Sequence, residues 1–340
     1  MAKLNMADIA RLSGVSMATV SRAIHAPHKL RQETRNKVLR AIKKNNYIYN
    51  AAAADLSRRH TKVIGLLIPT TRSPVFAESI LAIQEHCQNI GYAVILGNTR
   101  YDAATEKHLL QQFQERRVAG VILTGFTFEC ESNLAELEDH GIPHVVIWEK
   151  LDETGIDYVG FDNFLTAKKM TEYLISLGHH RIGLILGPYS KVGRVRKRWD
   201  GFRSEMERHG LPVDPATVVE TEPTLENGRT AMNSLLLLPH PPTAVFAASD
   251  VLAIGALKAA RDAGLAVPQQ ISIAGHDDIG FAAYTEPPLT TVRVNSYAIG
   301  RLAVEVLLDR IESKKKRPRH HCLETMLVVR GSCGPKNTSG

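Results

Sequence analysis

Short runs of apolar residues recur along the second and longer part of the chain, separated by amphipathic stretches. The runs are Val63–Ile68, Ala93–Leu96, Val118–Leu123, His144–Ile147, Ile182–Leu186, Ala244–Ala247 and Ile271–Ala274. Short apolar runs with helices between them are typical of buried parallel strands in βαβ units. The pattern predicts two parallel sheets, one before about residue 161 and one after it. Thr290–Arg293 and Leu323–Val329 are predicted as later crossings between the two sheets.

The beginning of the chain has helical spacing instead. A first helix is predicted over Met6–Ser13, where Asn5 can cap the free backbone N–H groups, and a third over Gln32–Asn45. Gly14 stands where the chain must reverse before a second helix that Ser16 can cap. The residues predicted to line the small core are Ile9, Leu12, Val20, Ile24, Val38 and Ile42. Short helices around a glycine turn have the form of a DNA-reading helix-turn-helix.

The outward face of the second helix carries the candidate DNA contacts. Arg22 is the expected base reader, because its guanidinium fork matches the two acceptors on the edge of guanine. Thr19 and Ser21 suit phosphate oxygens, which set the register of a protein on DNA without carrying sequence information. The predicted contacts in this region are Ser16, Met17, Ala18, Thr19, Ser21 and Arg22. The alternative interpretation is a small helical hairpin with a solvated basic face.

The charge of the chain is concentrated at the same end. Residues 1–62 hold 13 Lys and Arg against 3 acidic residues, a net charge of +10. The remaining residues hold 29 basic and 32 acidic side chains, a net charge of −3. A small, strongly basic end on a mildly acidic body indicates a nucleic-acid-binding module attached to a domain with another task.

Several other classes of protein are not indicated. With 340 residues the length favours two or three domains. There is no apolar run near the ~20 residues of a membrane span and no signal-peptide pattern, so we expect a cytoplasmic protein with free thiols. We find no Gly-rich nucleotide motif, no zinc spacing and no catalytic elbow, and we predict no cofactor, no metal site and no catalytic residues. A sugar-binding transport protein and a sugar-acting enzyme remain as alternatives from other classes.

A specific resemblance rests on three motifs. Val15–Arg22 reads VSMATVSR, and it is followed by Glu33-Thr34-Arg35 and by Asn46-Tyr47-Ile48. These strings, in this order, resemble the lactose-repressor/galactose-repressor family of bacterial transcription regulators, and the resemblance runs over nearly the whole chain. It implies that the second helix enters the major groove, where Met17, Ala18 and Arg22 select a pseudo-palindromic operator. It also implies a core similar to the periplasmic sugar-binding proteins.

The resemblance further implies a hinge helix after the headpiece. In the family this helix folds against its twin on DNA, where the residue that matches Leu56 wedges into the minor groove. The alanine-rich segment from Asn50 to Arg59 is a ready helix former but too short to be stable alone in water, and a plain linker is the alternative. Tyr49 and Ala51 stand where the family usually has Pro and Arg.

Candidate ligand contacts follow the apolar runs. Because ligands bind at the carboxyl ends of parallel strands, polar residues just after the runs are the candidates. They are Trp148-Glu149, Phe161-Asp162-Asn163, Ser249-Asp250 and His276-Asp277-Asp278. Carboxylates suit the paired hydroxyls of a sugar, and an aromatic such as Trp148 or Phe76 suits its apolar face. Each residue alone is also a common helix cap or turn residue.

The resemblance adds positions and a ligand class to these candidates. It places Phe76, Lys191, Arg198, Asp250 and Asp277 on effector-contacting positions. Val159–Phe164, reading VGFDNF, is similar to the gluconate-type repressors, and Pro223 stands where several members carry an aromatic. The basic residues Lys191, Arg194, Arg196, Lys197 and Arg198 favour an anionic ligand, because guanidinium pairs with carboxylate bidentately. For all of them except Arg198 and Lys191, a solvated basic helix start is the expected alternative. The predicted effector contacts are Phe76, Trp148, Asp162, Lys191, Arg198, Asp250 and Asp277.

The prediction is an N-terminal all-α helix-turn-helix headpiece and an α/β periplasmic-binding-protein-like core of two doubly wound parallel-sheet lobes. The predicted boundaries are 1–49 for the headpiece, 50–61 for the hinge and 62–340 for the core. Within the core, one lobe takes about 62–160 and 294–321, and the other about 161–293 and 322–331. The expected function is that of a transcriptional regulator, a repressor, that binds an operator in double-stranded DNA as a homodimer. A sugar or sugar acid such as gluconate is the expected effector, with a purine or a sugar phosphate as the alternative.

Overall fold

The computed structural model describes residues 4–25, 27–47, 61–125, 131–151, 155–313 and 317–336. The chain divides into two compact units, Met1–Thr61 and Lys62–Gly340. Within the described residues, no helix is long and apolar enough to cross a membrane. Residues 50–60 of the predicted hinge, including Ala51 and Leu56, lie outside the described residues, as does Tyr49. The predicted domain boundaries stay predictions.

The N-terminal unit contains three helices in its described part. They are α1 (Met6–Ser13), α2 (Met17–His25) and α3 (Gln32–Lys44). A core of Ile9, Ala10, Val20, Ala23 and Val38 joins them, with Ile24 and Ile42 partly buried against it. The three predicted helices are present, and α1 has the predicted bounds.

One residue of the predicted headpiece core is wrong. Leu12 is 53% exposed, whereas Ile9 and Ala10 are buried. The buried stripe of α1 passes through Met6, Ile9 and Ala10. At 100° per residue Leu12 lies on the far side of Ile9 from Ala10, which places it beside the stripe rather than on it.

The second unit begins with a parallel sheet that we call lobe 1 together with its helices. Its strands are β1 (Val63–Ile68), β2 (Ala93–Asn98), β3 (Gly120–Thr124), β4 (His144–Ile147), β5 (Tyr158–Gly160) and β11 (His320–Cys322), in the order β11-β5-β4-β3-β1-β2. Its helices are α4 (Ala77–Asn89), α5 (Ala103–Glu115), α6 (Glu131–Asp139) and α11 (Ser296–Ser313). Apolar clusters cover both faces of the sheet, as expected for buried parallel strands.

A second parallel sheet with its helices forms what we call lobe 2. Its strands are β6 (Ile182–Leu186), β7 (Val218–Glu220), β8 (Ala244–Ala247) and β9 (Ser272–Ala274), in the order β7-β6-β8-β9. Its helices are α7 (Asn163–Ser176), α8 (Gly193–Arg208), α9 (Leu225–Leu236) and α10 (Asp250–Asp262). A further antiparallel pair joins β10 (Thr291–Arg293) to β12 (Met326–Val328). The predicted fold class, helical headpiece plus two-sheet α/β core, is confirmed.

Four predicted strands agree with the structure to the residue. β1, β4, β6 and β8 begin and end at the predicted residues. The strands β5, β7 and β11 were not predicted. These are three-residue strands that carry Tyr, Glu, His or Cys, so they lack the apolar run on which the prediction depended.

Candidate functional site

The turn between α1 and α2 has the local geometry that its sequence indicates. Asn5 Oδ1 accepts from the backbone N–H of Asp8 at 3.1 Å, and Asp8 Oδ2 accepts from the N–H of Asn5 at 3.0 Å. This reciprocal pair is a capping box, which satisfies the free donors at the start of α1. Gly14 has φ 65°, the left-handed conformation that favours glycine at a helix end. Ser16 Oγ accepts from the N–H of Thr19 at 3.2 Å at the start of α2.

The first turns of α2 present the predicted contact residues. Val20 and Ala23 are buried in the headpiece core, which turns Met17, Ala18 and Arg22 outward as exposed side chains. Ser16 is exposed, and Thr19 and Ser21 are half-buried. Six predicted contacts thus lie on or beside one accessible face, as a recognition helix requires. Their contact with DNA stays a prediction, and Leu56 lies outside the described residues.

In the second unit, a cleft opens where strands of both lobes end. Ser73 and Phe76 follow β1, Tyr101 follows β2 and Trp148 follows β4 in lobe 1. Gly187 and Pro188 follow β6, Ser249 follows β8 and Asp277 follows β9 in lobe 2. The side chains of α8 that reach the cleft are Arg194, Val195 and Arg198. The cleft has a cavity volume of about 40 Å³, and it lies at the carboxyl ends of the strands, where α/β sheets bind ligands.

Arg198 is held in the cleft by three groups. Its Nε donates to Asn163 Oδ1 at 2.8 Å and its Nη1 donates to the carbonyl oxygen of Ala248 at 2.7 Å. Its Nη2 lies 3.7 Å from Asp277 Oδ1. The side chain is 8% exposed, and burial lowers the pKa of its guanidinium, although the Asp277 carboxylate opposes that shift. The guanidinium is therefore a preorganised cation at the cleft wall.

Arg194 crosses the cleft to lobe 1. Its Nη1 donates to the carbonyl oxygen of Thr124 at 3.2 Å. Its guanidinium carbon lies 5.9 Å from the centre of the Phe76 ring and 5.8 Å from that of Tyr101, within the range of cation–π attraction. Burial raises the pKa of Tyr101, and Arg194 opposes that shift, so the phenol stays protonated beside the cation.

Three cleft residues have left-handed backbone. Tyr101 has φ 57°, Trp148 has φ 70° and Asp277 has φ 113°. Such a conformation costs about 1–3 kcal/mol for a residue other than glycine, and it clusters at ligand-binding sites. The Trp148 ring meets Phe76 edge to face at 5.2 Å, which fixes an aromatic wall on the lobe 1 side.

Buried polar groups support the lobe 2 wall. His276 Nδ1 donates to Asp277 Oδ1 at 2.9 Å, and burial lowers the pKa of His276 to about 4. Asp250 accepts from the N–H of Ile279 at 2.8 Å and from Thr291 Oγ1 at 2.5 Å. Burial, and then the charge of Asp277, raise the pKa of Asp250 well above its usual range. Ser249 Oγ is a buried wall atom with no hydrogen-bond partner within the described residues, so it is free to bond to a ligand.

The cleft brings together four of the seven predicted effector contacts. They are Phe76, Trp148, Arg198 and Asp277. The other three do not line it. Asp162 caps α7 by accepting from Leu165 N–H at 2.9 Å, and it pairs with Lys150 at 3.1 Å. The carboxyl group of Asp250 instead accepts hydrogen bonds from Ile279 N–H and from the Thr291 hydroxyl. Lys191 is exposed before α8. The effector role of all seven stays a prediction.

Several residues that are not among the predicted effector contacts also line the cleft. Tyr101 was not identified, although its place after the β2 run was a usable signal. The expectation that Arg194 is solvated at the start of its helix is wrong, because Arg194 is 5% exposed and lines the cleft. Ser249 is one of several polar residues that follow a strand. The first turns of a helix present side chains all round, so only the packing of α8 shows that Arg194 points inward while Arg196 is exposed. Pro223 lies in the wall, as its alignment with the family suggests.

These features define a class. A helix-turn-helix unit and a two-lobed unit with a polar, aromatic-lined cleft together form a DNA-binding regulator with a ligand-sensing domain. Within the described residues, no group of His, Cys, Asp and Glu side chains could hold a metal ion.

Comparison with known proteins gives the family. The model of bacterial regulatory proteins of the lacI family matches residues 5–50, and that of the periplasmic binding protein-like domain matches residues 171–333. The transcriptional repressor PurR of Haemophilus influenzae is 38% identical over 309 residues, which cover 90% of this chain and 91% of that protein. The ribose operon repressor of the same species is 36% identical over 329 residues, covering 96% and 98%. A structure of the lac repressor dimer bound to operator and an anti-inducer has a TM-score of 0.85 at 26% identity and covers 97% of this chain and 99% of that one.

The chain belongs to the LacI family and is a transcriptional repressor of that family. The predicted resemblance is confirmed. Its relatives are repressors, not enzymes, and the sequence alternatives of a transport protein and a sugar-acting enzyme are set aside.

Proposed function

We propose that this repressor binds a pseudo-palindromic operator as a homodimer and that an anionic sugar, such as gluconate, binds in the cleft and switches its affinity for DNA. The observation that carries the ligand class is the pair of buried guanidinium groups, Arg194 and Arg198, in the cleft wall. A guanidinium in a site of low exposure recognises a carboxylate through a charge-assisted, bidentate contact.

The rest of the wall supports a sugar acid. Asp277 and Ser249 offer oxygen acceptors and a donor for sugar hydroxyls, and Trp148 and Phe76 offer apolar faces for the ring. A flat base could stack on the same aromatic rings, so a purine is the competing ligand. The name of the ribose operon repressor, a relative of this chain, favours the sugar.

A second copy of this chain is the proposed partner in DNA binding. Phe281 and Tyr284, from one short turn of lobe 2, are 66% and 88% exposed. Exposed aromatic side chains are characteristic of surfaces that an assembly covers. A two-fold dimer would present two headpieces to the two halves of a palindrome, and the lac repressor structure is that of a dimer on its operator.

The DNA arm is tested by selection from random duplexes, followed by titration of the enriched sequence. We expect a two-fold symmetric site and a steep loss of affinity with salt. Arg22→Lys keeps the charge but loses the fork, so affinity for the selected site should fall by roughly 5- to 100-fold while non-specific affinity stays the same. Enrichment of no sequence, or equal affinity of Arg22→Lys for the selected site, would contradict this part of the proposal.

The ligand arm is tested by thermal unfolding with D-gluconate, D-glucose, D-ribose, a sugar phosphate and hypoxanthine. A ligand at about 100 times its Kd stabilises the folded state by about 2.7 kcal/mol, which corresponds to roughly 5–10 °C. We expect a shift with the acid and not with its neutral counterpart, and loss of the shift in Arg198→Lys. Arg196→Lys, on the same helix but exposed, is the matched control. A shift with hypoxanthine alone would replace the sugar acid by a purine.

The dimer is tested by light scattering of the purified chain. Phe281→Ser combined with Tyr284→Ser should yield monomers that bind a half-site but lose the affinity gained by two linked headpieces. A dimer that survives both substitutions would place the interface elsewhere.

A further inference from the structure

The helix that carries the two cleft arginines starts without a cap of its own. The N-cap residue of α8 is Val192, whose side chain cannot accept a hydrogen bond. The first N–H groups of a helix need acceptors, and its N-terminus attracts negative charge. A carboxylate from the other lobe lies at this end. Glu149, directly after Trp148 beyond β4, is 3% exposed, and its Oε1 is 2.9 Å from the point that a Cβ of Gly193 would occupy.

Two basic side chains from the same helix reach across to lobe 1. Arg194 Nη1 donates to the carbonyl oxygen of Thr124 at 3.2 Å, as described above. Lys197 Nζ donates to the carbonyl oxygen of Lys150 at 2.6 Å and lies 4.0 Å from Glu149 Oε1. The contacts therefore run in both directions, a carboxylate from lobe 1 to lobe 2 and two cations from lobe 2 to lobe 1.

Two glycines make room for this arrangement. A Cβ on Gly193 would press on Glu149, and a Cβ on Gly125 would lie 2.5 Å from Arg194 Nη1 and 3.5 Å from Glu149 Oε2. Gly125 also has φ 64°, which disfavours any other residue there. The groups are thus in close contact at Gly125 and Gly193, where an added carbon would press on the side chains of Arg194 and Glu149.

We propose that Glu149, Arg194 and Lys197 form a latch between the lobes that holds the cleft closed before any ligand is bound. Buried charge-assisted contacts favour the closed arrangement, because opening leaves each group to find water or a new partner. The inference rests on the proposed function only in taking the cleft as the ligand site. Since Arg194 is also a wall residue, a bound anion acts on the group that holds the lobes together, and its effect depends on how differently it binds the two arrangements.

The test measures the opening of the ligand-free chain directly, without DNA. Spin labels are placed on exposed positions of the two lobes, through Glu115→Cys on α5 and Ser234→Cys on α9, in a chain whose Cys130 and exposed Cys322 are both replaced by Ser. Arg194→Met removes a cation of the latch, and Glu149→Gln removes its carboxylate charge, each at similar side-chain volume. We expect either change to raise the population of a longer interlobe distance by about tenfold. Arg196→Met, exposed on the same helix, should leave the distribution unchanged.

Other outcomes are equally informative. Unchanged distance distributions in both Arg194→Met and Glu149→Gln overturn the latch, whatever the ligand proves to be. If Arg194→Met fails to fold, as judged by its circular dichroism, Glu149→Gln and the half-buried Lys197→Met decide the matter. Because no ligand or operator is present, a failed ligand screen leaves this result intact, and an absent latch leaves the proposed ligand class intact.

Discussion

Replacing Arg198 by Met tests whether its guanidinium contributes to the stability of the second unit or only lies beside Asp277. The guanidinium of Arg198 is nearly buried, and it satisfies Asn163 and the carbonyl oxygen of Ala248 while facing Asp277. Met fills much of the same volume, so the change removes the donors and the charge with little loss of packing. Asp277 would then remain buried without its guanidinium partner, with His276 Nδ1 donating to its Oδ1 at 2.9 Å.

The expected magnitude follows from these contacts. Removing one partner of a buried ion pair destabilises a protein by about 3–5 kcal/mol, mainly because the other charge stays buried. Thermal midpoints of domains this large shift by roughly 2–4 °C per kcal/mol, which predicts a decrease of about 6–20 °C for the second unit. Adding Asp277→Asn removes the orphaned charge, so the double variant should regain part of the loss.

Differential scanning calorimetry of the ligand-free chain measures this effect, with urea unfolding as an independent check of the free energy. Arg203→Met is the matched control, because Arg203 lies on the same helix but is exposed, and its ion pairs at 3.7 Å are of the kind that contributes about 0–1 kcal/mol. A loss below about 1 kcal/mol in Arg198→Met, or no recovery in the double variant, would refute the reasoning.

Three further predictions follow from particular contacts. The pKa of His276 falls from 6.5 in the unfolded chain to about 4 in the fold, so the unfolded state binds more protons between these values. Stability should therefore fall by up to about 3 kcal/mol as the pH decreases from 6.5 to 4, and urea unfolding of His276→Gln should show a shallower dependence. Gly255→Ala should destabilise lobe 2 by about 1–3 kcal/mol in the same assay, because its Cβ would strike the backbone of α9 at Leu225, whereas Gly280→Ala meets no atom within 4 Å and should change little. Asn5→Ala should lower the stability of the headpiece by about 1 kcal/mol, measured by amide hydrogen exchange in α1; unchanged exchange would contradict the capping role of Asn5.

Local signals carried most of the fold prediction. The apolar runs marked β1, β4, β6 and β8 to the residue, because a strand buried on both faces consists mainly of apolar residues. Short strands such as β5 and β7 depend on neighbours that are distant in sequence, and no local pattern identifies them. The same limit explains Leu12, whose exposure depends on which side of α1 the other helices cover.

The residues of the candidate site were also predicted only in part from the sequence. Strand ends and family motifs pointed to Phe76, Trp148, Arg198 and Asp277, and these four residues do line one cleft. Asp162 and Asp250 have the same local signature, but their carboxylates are consumed by a helix cap and by backbone and hydroxyl donors. Whether a polar residue at a strand end is free for a ligand depends on which donors the fold brings to it.

The sequence by itself determined the class of this protein. Helix caps, the glycine turn, the basic headpiece and the apolar runs are properties of neighbouring residues, and they were sufficient for a helix-turn-helix unit with a two-sheet core. The motifs that resemble the lactose-repressor/galactose-repressor family added the role of a repressor. Only the tertiary structure decided the composition of the cleft and the contacts that cross it. Arg194 meets Thr124 and Tyr101 from the opposite lobe, and Glu149 meets the start of α8, through distances that arise when two separate sheets pack together. Such contacts join residues far apart in the chain, so no pattern of neighbouring residues could have revealed them.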